Sequence, residues 1–109
     1  MADLFLAEFE LYVMLAVARL GEKAYGVTIR REIEARTGRP VSVGALYSTL
    51  ARLGDKGLLA FEVSDPRPVP GGRARKYCRL TPRGEEALAH STAMLTKMME
   101  GVRLAGGSS

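Results

Sequence analysis

The chain has one cysteine and one histidine, and among its 109 residues there is no tryptophan, asparagine or glutamine. One Cys and one His exclude an intramolecular disulfide, a Cys-x-x-Cys redox pair and a zinc site built from several such ligands. No metal or cofactor is expected. No nucleophile beside a His base and no carboxylate pair in a sequence-evident site can be named, so an enzyme has no footing here. Long hydrophobic runs are missing as well. Met1 to Leu20 is apolar, but Asp3, Glu8, Glu10 and Arg19 interrupt it, and its longest uncharged stretch, Leu11 to Ala18, has eight residues. Neither a secretory signal nor a membrane span fits, and the cytoplasm is the expected compartment.

What is present is the composition of one folded domain, 47% hydrophobic and 26% charged. The net charge of +4 is unevenly spread. Residues 1–20 carry net −2 and residues 85–109 net −1, while residues 21–84 hold thirteen basic and six acidic side chains, net +7. Apolar ends flanking a basic centre predict ends that pack on apolar surface and a centre that faces an anion.

Leu4 to Leu20 reads as a helix, with Asp3 as N-cap and Gly21 as stop. Phe5, Phe9, Val13, Ala16 and Leu20 form one apolar stripe; Leu4, Ala7, Leu11, Met14, Leu15 and Ala18 form another, with Glu8 and Glu10 at the borders. A single domain of this size covers one such face, so the second predicts a partner, most simply another copy. A second helix follows over Tyr25 to Arg36, ended by Gly38. Ser42 then caps a third that runs to Lys56, with Val43, Leu46, Leu50 and Leu53 in one stripe and Gly44, Ser48, Ala51, Arg52 and Asp55 opposite. Leu58 to Ser64 and Lys76 to Leu80 read as strands around a loop with Pro66, Pro68 and Pro70. Thr81 caps a last helix whose first residue is Pro82, with an apolar stripe of Leu88, Leu95, Met99 and Val102 broadened by Ala87, Met94 and Met98.

That order predicts a mainly α fold with a two-stranded β-wing: a winged helix-turn-helix over residues 1–81, a dimerisation helix over 82–104 and a disordered tail over 105–109. The third helix would enter the major groove of double-stranded DNA. Ser42, Gly44, Tyr47 and Ser48 would lie at its reading end, Arg52 one turn on at a phosphate, and Arg73, Arg75 and Lys76 along phosphates from the wing. Leu4, Leu11, Met14, Leu15, Leu88, Leu95, Met98, Met99 and Val102 are the expected dimer interface, and Met14, Met94 and Met98 a pocket for a small-molecule effector. A dimer of this kind reads a pseudo-palindromic operator. Without Asn or Gln the bases read cannot be named. The alternative is a winged-helix protein-interaction module without specific DNA binding.

Three motifs carry a family resemblance. They are Tyr25-Gly26 with Ile29; Gly44-Ala-Leu-Tyr-Ser-Thr-Leu-Ala-Arg-Leu53 followed by Lys56-Gly57-Leu58; and Gly72-Arg-Ala-Arg-Lys-Tyr77 running into Leu80-Thr81 and Gly84. With these the chain resembles the PadR-like transcriptional regulators, from the first helix to the last. The resemblance implies a homodimeric DNA-binding repressor released by a small molecule, in which a single C-terminal helix packs on the partner's first helix. The aromatic drug-sandwiching site of some short members is not carried over, because the last helix has no Trp.

Overall fold

A computed structural model describes residues 6–64 and 75–105. It contains α1 (Glu8–Leu20), a 3-10 turn (Gly21–Lys23), α2 (Gly26–Thr37), α3 (Val43–Asp55), β1 (Leu59–Val63), β2 (Lys76–Leu80) and α4 (Pro82–Met99). The expected winged-helix architecture is the one observed. Leu4, Asp3, Arg73 and the three wing prolines lie outside the described residues, as does the tail from residue 106.

α1 starts at Glu8, four residues later than the apolar pattern predicts. No Ser or Asp caps it; the Ala7 amide instead donates to Glu10 Oε1 at 2.9 Å, a cap that reaches back from inside the helix. α2 ends in Gly38, whose φ of 71° closes the helix with its amide on the Glu34 carbonyl. At α3 the Ser42 hydroxyl accepts the Ala45 amide at 3.1 Å, and at α4 Thr81 does the same for Gly84 at 2.9 Å, with Pro82 in the first turn. α4 stops at Met99, and Gly101 (φ 77°) turns the chain away. Val102 therefore lies beyond the helix that was expected to carry it to residue 104.

The core gathers Val13, Met14, Ala16 and Val17 of α1 with Ile29, Ile33, Leu46, Leu50, Leu53, Leu58, Cys78, Ala87 and Leu88. α1 is the central helix, packed against α2, α3, β2 and α4. This corrects the expectation that one domain covers only one of its faces. Met14 is fully buried inside a single chain, and Leu88 is core too, so neither can present itself to a partner. What α1 leaves open is a narrower strip with Leu15 and Ala18.

β1 and β2 pair antiparallel from Leu59↔Leu80 to Val63↔Lys76. The segment before α2 extends this ribbon, because the Cys78 amide donates to the Ala24 carbonyl at 2.8 Å and Tyr25 bridges to Tyr77. At the other end the Thr81 amide donates to the Leu58 carbonyl at 3.1 Å and its hydroxyl to the Gly57 carbonyl at 2.6 Å. Gly84 lies so close to the Leu58 carbonyl that a side chain there would collide with backbone.

Candidate nucleic-acid interface

α3 buries Leu46, Thr49, Leu50 and Leu53 and leaves Ser42, Val43, Gly44, Ala45, Tyr47, Ser48, Ala51 and Arg52 open. Val43 was expected in the buried stripe and is 51% exposed. The residue just before the helix cap, Val41, is buried instead. Its carbonyl accepts from Arg30 Nε at 2.9 Å and its amide donates to Glu34 Oε2 at 2.8 Å, so two side chains of α2 hold the turn into α3 by both of its backbone groups. Small side chains at Ser42, Gly44, Ala45 and Ser48 leave the first turns of the helix narrow enough for close approach to a groove.

Tyr47 is half-exposed, and its ring covers Gly26, where any side chain would meet the Tyr47 hydroxyl. Next to Gly26, Tyr25 stacks edge-on against Tyr77 with ring centroids 5.5 Å apart. Arg75 lies over the Tyr25 ring of that pair, its Cζ 4.6 Å from the ring centre. A hydrogen bond with Tyr77 and the neighbouring Tyr25 raise the guanidinium pKa further above its ordinary value, so Arg75 stays charged. Lys76 sets Nζ 4.4 Å over the ring of Phe61, and the Arg75 amide is held by Ser64 Oγ at 3.0 Å. The pair Tyr25-Gly26 is thus a hub that meets α3 on one side and the wing strand β2 on the other.

Of the expected site residues, Ser42, Gly44, Tyr47 and Ser48 share the open face of α3, while Arg75 and Lys76 begin the second half of the wing. Arg52 is half-exposed on the same helix, and in this chain its Nε donates to Glu10 Oε2 at 3.0 Å and its Nη2 reaches Thr49 Oγ1 at 3.3 Å. Of the residues expected to line an effector pocket, Met14 is core and Met98 is 78% exposed. Cys78 is buried, and burial pushes its thiol pKa up to about 11 against a smaller opposing pull from Lys76, the setting of an inert core residue.

Glu10 is the residue whose place in the fold departs furthest from the sequence pattern. Spacing puts it on a helix border, yet its side chain is only 5% exposed. Burial raises its pKa, but the Ala7 amide and the hydrogen bonds from Arg52 and Lys56 outweigh burial and hold the carboxyl below its ordinary value. Its stabilising effect is therefore present above the ordinary carboxylate pKa and disappears as pH falls through the lowered one. No local spacing signals a pairing across 42 residues.

Three helices, the last with an open small-residue face, and an adjoining basic ribbon define a winged helix-turn-helix protein of the transcription-regulator class. The profile of the PadR-like transcriptional regulator family matches residues 14–90, and the chain belongs to that family, one of regulators and not of enzymes. Transcriptional regulator Rv3488 of Mycobacterium tuberculosis is 41% identical over 76 residues, a match spanning 70% of this chain and 66% of that protein. A PadR-like transcription factor from Bacteroides fragilis superposes with a TM-score of 0.71 at 30% identity, covering 84% of each chain. F93 from STIV, a winged-helix DNA-binding protein, shares the fold at 20% identity (TM-score 0.72, covering 91% of this chain and 99% of that one). No described helix is long and apolar enough to cross a membrane.

Proposed function

We propose that the chain is a homodimeric repressor that binds a pseudo-palindromic DNA operator through α3 and the wing and is released by a small molecule. The observation that carries this reading is the Tyr25-Gly26 hub. One dipeptide seats Tyr47 of α3 and Tyr77 of β2, which fixes the spacing between a groove-reading helix and the wing cations Arg75 and Lys76. Support for a second copy comes from Leu15, Leu95, Met98 and Met99, which are 37%, 50%, 78% and 53% exposed in one chain. Support for a small-molecule partner is a groove of about 590 Å³ between the end of α1, β2 and the start of α4, lined by Val17, Ala18, Tyr77 and Leu80.

Gel shift of the full chain on its own upstream DNA is the test. With about six to ten phosphate contacts per dimer, affinity falls roughly 10³ to 10⁵-fold between about 50 and 200 mM salt. Arg75→Ala with Lys76→Ala flattens that dependence by about 0.9 in log–log slope for each phosphate that is no longer neutralised. No shift at low salt, together with a monomer by light scattering, would replace this reading with the protein-interaction module.

A further inference from the structure

A buried carboxylate on α1 receives both cations from the far end of α3. Glu10 Oε2 accepts from Arg52 Nε at 3.0 Å and from Lys56 Nζ at 3.1 Å, while Oε1 accepts the Ala7 amide. Arg52 and Lys56 are 51% and 34% exposed, Glu10 only 5%. One oxygen bridging a guanidinium and an ammonium at hydrogen-bond distance is the arrangement those two groups would otherwise make with a phosphate oxygen. Arg75 and Lys76, the wing cations, differ. Both are laid on aromatic rings, and among the described residues neither forms an ion pair.

We propose that Glu10 is an internal stand-in for a backbone phosphate: it withholds Arg52 and Lys56 from nucleic acid and so confines phosphate contacts to the first half of α3 and the wing. This rests on the DNA-binding reading above and adds a positioning residue to it. The consequence is one of discrimination. Sequence-independent affinity grows with each phosphate a cation neutralises, whereas contacts at base edges carry the choice of site. Two cations held back at the end of the reading helix lower binding to arbitrary DNA without touching the reading face. The anchor also ties the seat of α3 to α1, because the carboxylate that holds the cations also caps the start of that helix.

The experiment is a fluorescence-anisotropy titration of the full chain with labelled mixed-sequence duplex DNA over a range of salt. It compares the native chain with Glu10→Gln, Arg52→Gln and Lys56→Gln, and far-ultraviolet circular dichroism reports whether each is folded. Glu10→Gln is expected to steepen the log–log salt slope by about 0.9 to 1.8 per chain, the effect of one or two further phosphates neutralised. In the native background Arg52→Gln and Lys56→Gln are each expected to change the slope by less than about 0.45, half the effect of one phosphate. Weaker seating of the helix alone would lower binding at every salt concentration without steepening the slope. A Glu10→Gln slope equal to the native one, or a flattening by about 0.9 in Arg52→Gln or Lys56→Gln, overturns the proposal. If Glu10→Gln does not fold, the two cation variants decide alone. If no variant and not the native chain binds the duplex at low salt, it is the DNA-binding reading that has failed.

Discussion

The open face of α3 and the far half of α4 are both exposed and have opposite chemistry. Tyr47 and Leu95 are each 50% exposed. Around Tyr47 the neighbours on the helix are Gly44, Ala45, Ser48 and Ala51; beside Leu95 on its helix stand Met98 and Met99, and Val102 and Leu104 follow past the helix end, exposed as well. A small, hydroxyl-bearing face loses little when left in water and admits close approach of a hydrated anion. A run of Leu and Met forgoes apolar burial for every side chain left bare, roughly 1.5–3 kcal/mol each when fully buried. Exposure alone therefore does not identify an interface; the chemistry of what is exposed says which partner suits it.

Where α4 is docked, it is held by backbone. Gly84 presses on the Leu58 carbonyl, and Thr81 bonds the Gly57 and Leu58 carbonyls. Gly84→Val is the change of largest expected effect, about 3 kcal/mol or more, because the obstacle is main chain that has no rotamer to move. Gly44→Ala is its counterpart on α3, with nothing within 4 Å of an added Cβ. It should leave stability unchanged or raise it by up to about 1 kcal/mol. Urea unfolding midpoints measure both. Equal costs at the two glycines would break the distinction between a docked helix start and an open helix face.

The bare half of α4 yields the next effect. Leu95→Asp with Met98→Asp should raise the dissociation constant of the proposed dimer about 100-fold or more, roughly 3 kcal/mol, read by light scattering across concentration. Tyr47→Asp should leave the mass unchanged and remove DNA binding. If the two variants exchanged outcomes, the assignment of partners to faces would be reversed.

Elements whose ends are set locally were legible in the sequence. Ser42 and Thr81 are side-chain caps, Pro82 opens α4, Gly38 closes α2, and β2 begins and ends where its alternation does. The start of α1 was not, because its amide is satisfied by Glu10 rather than by a residue ahead of the helix. The fates of Met14 and Glu10 were not legible either. Both depend on α2, α3, β2 and α4 closing around α1, which brings in residues tens of positions away. The three family motifs stand in order along the sequence, but that they meet at Tyr25-Gly26 and at Leu58-Gly84 is a property of the fold.

Val43 is where the helical period and the fold part company, and it yields the smallest expected effect. Spacing puts it in line with Leu46, Leu50 and Leu53, yet as the first residue of α3 it is 51% exposed, and Val41, just ahead of the helix cap, is buried. Val43→Ser should therefore change stability by about 0.5 kcal/mol or less. Val41→Ala, which empties a buried site whose backbone Arg30 and Glu34 hold in place, should cost about 2 kcal/mol. Urea midpoints at one pH separate the two. A cost at Val43 equal to that at Val41 would put the first turn of α3 inside the core. The open face would then begin at Gly44, one residue further along, and the surface available to a groove would be narrower than the one described.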